Sequence, residues 1–75
     1  MDTAFEVHKL NSRGLDKARE IAQNFDDLLA HLGTLCLAAG ATGSREFALV
    51  RTKLEEACFF AKKGMANQAE NQEAQ

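Results

Sequence analysis

Proline is absent from this chain, and so are tryptophan and tyrosine. Without proline no residue lacks a backbone N–H or forces a kink, so a helical pattern runs until its apolar periodicity stops or a glycine intervenes. Glycine is also scarce, five in 75 residues. Gly14 falls at the start of the first apolar pattern, Gly33, Gly40 and Gly43 bracket a break in the middle, and Gly64 lies towards the end. Cysteine occurs twice, as Cys36 and Cys58, and neither these nor His8 and His31 show C-x-x-C or H-x-x-x-H spacing. That argues against a metal site and a disulfide scaffold, and leaves the thiols as small hydrophobes expected to be buried. No run is apolar enough for export or for spanning a bilayer. "MDTAFEVHKL" is mixed, and "LGTLCLAAGATG" is too short and too rich in glycine. The expectation is a cytoplasmic protein with reduced thiols. Finally, there is no excess of positive charge. Nine Lys/Arg against eleven Asp/Glu leave −2, which argues against a duplex-binding protein but not against a small anionic ligand held by a few cations and backbone N–H groups.

What is present is helical periodicity. Leu15, Ala18, Ile21, Ala22, Phe25, Leu28, Leu29, Leu32 and Leu35 recur at spacings of three and four, which predicts a helix from about Ser12 to about Leu37. "AAGATGS" reads as a turn, with Ser44 as the N-cap of a second helix from about Arg45 to about Asn67. Its stripe is Phe47, Val50, Leu54, Ala57, Cys58, Ala61 and Met65. A short turn between two such stripes makes an antiparallel helical hairpin. The fold class is therefore all-α, one domain over residues 1–67. A polar tail, "QAENQEAQ" at 68–75, is expected to be disordered because it has no large apolar residue. Residues 1–11 carry Phe5, Val7 and Leu10 and are expected to dock as an arm or short helix.

Two helices cannot bury what this sequence offers. The stripe of the first covers nearly half the circumference. On the second, Leu49 and Phe60 point one way and Phe59 another, because successive helical residues are about 100° apart. A chain this short buries only about 60% of its unfolded surface, and such folds usually need a disulfide, a metal or self-association. A homo-oligomer that covers the second apolar face is the expectation.

Catalytic chemistry has little support. Asp26–Asp27 and Glu55–Glu56 are adjacent pairs that read as solvated helix faces, and no nucleophile–base pairing is apparent. Two stretches suit an anion. "NSRGLDK" places Asn11, Arg13 and Lys17 around a helix start, and "TGSRE" places Arg45 in the first turn of the second helix, against the helix dipole. Lys17 shares the angular position of Leu28 and Leu35, at the edge of the stripe. Ordinary capping with surface charge is the competing reading of both stretches. Phe5 and His8 are planar groups close to the first, suited to stacking on a base, although Phe5 equally fits a hydrophobic staple.

"FEVHKLNSRGLDKAREIAQNFDDLL" followed by "REFALVRTKLEEACFFAKKGMA" resembles the bacteriophage anti-CBASS cyclic-nucleotide sponge family, the second type of anti-CBASS protein, over roughly residues 5 to 66. The resemblance implies a protein of the host bacterial cytoplasm that performs no chemistry and needs no cofactor. It would bind cyclic dinucleotides such as cyclic GMP–AMP, and cyclic trinucleotides at separate sites, and withhold them from CBASS immunity. It further implies a compact helical homo-hexamer with dinucleotide pockets between protomers. The family's pocket sets an aromatic side chain on a base and a lysine and an arginine on phosphates. Carried over, these are Lys17 in "GLDKA" and Arg45 in "SRE"; with no tyrosine in this sequence, Phe5 or His8 takes the aromatic place. Thr52 and Lys53 in "TKLEEA" are candidates for a second ligand site. The alternative function is a small helical adaptor that inhibits a host protein by direct binding, which would not need the cluster of Asn11, Arg13, Lys17 and Arg45.

Overall fold

In the computed structural model, which describes residues 9–38 and 43–73, the two apolar stripes form the expected hairpin. Helix α1 is Ser12–Cys36 and helix α2 is Arg45–Ala66. Each begins where a short polar side chain satisfies an otherwise orphaned amide: Gly14 N–H donates to Asn11 Oδ1 at 2.8 Å, and Phe47 N–H donates to Ser44 Oγ at 3.1 Å. Glu46 in the first turn of α2 and Lys63 in its last both suit the helix dipole. The helices run antiparallel, so Gly33 near the end of α1 faces the Phe47 ring at the start of α2.

The molecule measures 51 × 25 × 12 Å. Its thinnest dimension is the width of one helix, so the hairpin is a single layer. Its accessible surface is 5989 Å², against about 4,500 Å² for a compact monomer of this mass. Phe47 and Met65 are the buried large apolar side chains among the described residues. Ile21, Ala22, Phe25, Leu29 and Leu32 of α1, with Val50, Leu54 and Cys58 of α2, are half-buried along the seam. Leu15, Leu28, Leu35, Leu49, Phe59 and Phe60 are exposed. The two adjacent phenylalanines meet edge to face, ring centroids 5.3 Å apart and planes at 80°.

Several expectations need correction. Cys36 is exposed rather than buried, and Cys58 is half-buried; both are free thiols. Ala57 and Ala61 face outward, because the seam of α2 follows Leu54, Cys58 and Met65. The polar tail does not fray at residue 68. Gln68 leads into a 3₁₀ turn, Ala69–Asn71, and Asn71 is fully buried. The reason is hydrogen bonding rather than apolar content. A helix ends with four carbonyls that lack partners. Here Asn71 Nδ2 donates to Met65 O at 2.9 Å and Gln72 Nε2 donates to Ala66 O at 2.8 Å. The tail then crosses the entry to α1: Asn11 N–H donates to Asn71 O at 3.0 Å, Glu73 N–H donates to Lys9 O at 2.8 Å, and Leu10 pairs with Gln72 in an antiparallel bridge. Residues 1–8, most of the expected N-terminal arm, lie outside the described residues, as does the centre of the turn at 39–42. Among the described residues no helix is long and apolar enough to cross a membrane.

Gly14 is where the two termini touch. A Cβ there would collide with Asn71 O and lie 3.0–3.1 Å from Leu10. The carbonyl is backbone, fixed by its bond from Asn11, so the overlap outweighs the roughly 1 kcal/mol that alanine ordinarily gains over glycine in a helix. Gly14→Ala is expected to destabilise by about 1–3 kcal/mol. Gly64→Ala, with nothing within 4 Å of the new Cβ, is expected to stabilise by about 0.5–1 kcal/mol. Thermal unfolding at one protein concentration measures both. Shifts of the same sign would show that Gly14 is not a contact point for the tail.

Candidate ligand site

The site is built at the end of the hairpin where α1 begins and α2 ends. Arg13 and Lys17 are four residues apart and so stack on one face of the first turns of α1. Between them stands a carboxylate. Arg13 Nη1 is 3.7 Å from Glu70 Oε2, and Lys17 Nζ is 3.4 Å from Glu70 Oε1. Glu70 is delivered there by the 3₁₀ turn, whose backbone is held at Glu70 O and Gln72 O by Asn11 Nδ2, at 2.9 and 3.1 Å. A negative group beside a helix N-terminus is also favoured by the dipole. All three side chains keep contact with solvent; Lys17 is the least exposed at 36%, against 64% for Arg13 and 55% for Glu70. The arrangement is a cationic corner that holds the protein's own carboxylate.

Asn11 has a different position from its cationic neighbours. Its Oδ1 caps α1, its Nδ2 holds two tail carbonyls, and its backbone N–H holds a third. It therefore supports the corner rather than facing out of it. Arg45 lies at the opposite end of the hairpin. Its level on α1 is that of Gly33, 16 residues beyond Lys17, which is about 24 Å along a helix. One chain cannot bring Lys17 and Arg45 to one phosphate. Thr52 donates its hydroxyl to Ala48 O at 3.1 Å, and Lys53 pairs with Glu56 at 3.7 Å, both on the exposed side of α2. Phe5 and His8 lie outside the described residues.

One feature escaped the sequence reading. A groove of about 390 Å³ runs between the helices, with Phe25, Leu29, Leu54 and Cys58 along it and Asp26, Arg51, Glu55, Phe59 and Lys62 beside them. Arg51 and Lys62 are eleven residues apart, three helical turns, so their shared face was legible. That Asp26 joins them depends on how the two helices are aligned, which spacing within one helix does not reveal. Two cations and two carboxylates leave the groove without net charge, so it offers an anion no general attraction. Among the described residues no group of three or more His, Cys, Asp or Glu is placed to hold a metal ion.

The family described as Acb2/Tad1, hairpin domain, matches residues 2–66. This span takes in both helices and stops short of the 3₁₀ turn. No curated protein and no solved structure shows a significant match to the chain.

Asn11 combines a helix cap with two bonds to the tail, and Ser44 supplies a cap alone. Asn11→Ala is expected to cost about 2–3 kcal/mol and Ser44→Ala about 1 kcal/mol. Denaturant unfolding of both variants checks the difference. Equal losses would mean that the tail bonds contribute nothing to the fold.

Proposed function

The chain belongs to the Acb2/Tad1 hairpin family, the anti-CBASS cyclic nucleotide sponges, and from that premise we propose that it binds cyclic oligonucleotide messengers and sequesters them without cleavage. The observation that carries the reading is the family match across both helices. The corner formed by Arg13 and Lys17 supports it, since phosphates are recognised by such paired cations beside a helix start. The ligand class is cyclic dinucleotides, cyclic GMP–AMP among them, with cyclic trinucleotides at a second site for which Thr52 and Lys53 are the candidates. The setting is a phage protein acting in the bacterial cytoplasm. Lys17 and Arg45 act on phosphates from two different protomers, Arg13 assists Lys17, Asn11 positions the corner, and Phe5 or His8 stacks on a base.

This use of Lys17 and Arg45 requires self-association. Support comes from the single-layer fold and from Leu35, Leu49, Phe59 and Phe60, which are 71, 55, 61 and 63% exposed. An apolar area of that kind is what interfaces cover. The neutral groove, apolar with balanced charges beside it, suits a second copy of this chain better than a free anion. The assembly we favour is the helical hexamer.

Calorimetric titration with a panel of cyclic di- and trinucleotides, followed by chromatography of the ligand recovered from the complex, tests the function. Intact ligand in stoichiometric amount is expected; altered ligand would make the protein an enzyme, and absence of binding would favour a direct inhibitor of a host protein. Lys17→Ala and Arg45→Ala are each expected to weaken dinucleotide binding about ten- to a hundredfold, since a hydrogen bond to a charged group is worth roughly 1.5–3 kcal/mol. Arg45→Lys should restore only part, because an ammonium lacks the guanidinium's planar fork. If both alanine variants bind like the parent, the phosphate assignment fails.

Assembly is tested separately. Phe60→Asp would bury a charge in an apolar contact at a cost of several kcal/mol, so light scattering at micromolar concentration should show a smaller species than the parent. A stable monomeric parent would remove the basis for a pocket shared between subunits.

A further inference from the structure

The 3₁₀ turn and its Glu70 lie beyond the residues the family matches, 2–66, so the cyclic-nucleotide reading does not account for them. We propose that Glu70 is a built-in competitor for the corner: its carboxylate occupies Arg13 and Lys17 in the free protein, and a phosphate binds there only when that side chain swings away. The inference rests on the proposed role of Lys17, but it makes a claim of its own about anions in general.

Three observations carry it. First, one carboxylate spans both cations, with an oxygen to each, at 3.7 and 3.4 Å. Second, the backbone behind it is anchored independently of the ion pairs. Asn71 is fully buried, Met65 O and Gln68 Oε1 accept from its amide at 2.9 and 3.0 Å, and its carbonyl accepts from Asn11 N–H. Third, the Glu70 side chain itself is 55% exposed, so it can rotate into solvent while the turn stays seated. A locked backbone with a solvent-exposed charged side chain is what a competitor needs. It returns to the corner at a high effective concentration whenever a ligand leaves.

The consequence is selectivity. A lone phosphate gains at the corner only about what the departing carboxylate loses, so simple phosphate compounds bind weakly. A cyclic oligonucleotide brings base contacts and a second phosphate, and these exceed the loss.

The test uses the full chain and inorganic pyrophosphate as probe, with a cyclic dinucleotide titrated in parallel. Exposed ion pairs are each modest, so Glu70→Gln is expected to tighten pyrophosphate about three- to tenfold at low salt, and less at high salt. Lys17→Ala in the same background should abolish the gain. Glu70→Ala serves as the second variant, and thermal unfolding confirms that the turn remains docked. Unchanged or weaker pyrophosphate binding by both Glu70 variants overturns the proposal. If pyrophosphate gains but the cyclic dinucleotide does not, the competitor stands and the assignment of Lys17 to the nucleotide's phosphate is what fails.

Discussion

Two helices side by side make a layer one helix thick, and such a layer has no inside. Each residue on the seam is shielded by one neighbouring helix and open above and below. This explains why Phe25, Leu29 and Leu54 are only half-buried and why, among the described residues, Phe47 and Met65, near the ends of α2, are the best-covered large apolar side chains. Apolar burial contributes roughly 25 cal/mol per Å², so a fold that hides this little surface draws limited stability from it. Local devices matter more than usual: the Asn11 and Ser44 caps, and the end of α2 closed by Asn71 and Gln72.

The polar knot at the open end follows from the same shortage. A hairpin is tied at its turn and free at its other end, where nothing in the helices themselves prevents them from splaying. Asn11 closes that end with hydrogen bonds to the carbonyls of Glu70, Asn71 and Gln72, about sixty positions away. Asn71 is held by its side-chain amide, which donates to Met65 O and Gln68 Oε1, and by its backbone carbonyl, which accepts from Asn11 N–H. That backbone carbonyl is what a Cβ at position 14 would meet, so a glycine stands beneath it.

Electrostatics at this end adds to the hydrogen bonds. Lys9 with Glu73, and Arg13 and Lys17 with Glu70, join the two chain ends through solvent-exposed ion pairs. Such pairs hold little energy individually. The hydrogen-bonded backbone provides the fixed frame, and under the proposed function the charges are the part that changes partner.

The sequence by itself determined the two helices, the cap at Ser44 and the hairpin. Spacings of three and four fix a helical face, Ser44 has a side chain that caps, and the absence of proline leaves nothing to interrupt either run; that Asn11 caps the first helix came from the structure. It also determined that large apolar groups would remain outside, since Phe59 and Phe60 cannot share one face, and the family resemblance was legible in "TKLEEACFFAKK". Tertiary structure decided what lies far apart in the chain. That a tail without apolar residues would be seated rather than frayed was not visible, because its partners are the carbonyls of Met65 and Ala66 and the side chain of Asn11, and composition does not record backbone acceptors. That Glu70 would stand between Arg13 and Lys17, and that Arg45 would lie at the other end from Lys17, also came only from the fold. Helical periodicity specifies which residues share a face. The pairing of one segment's charges with another's depends on how those segments are placed against each other, and that is set by contacts between residues distant in sequence.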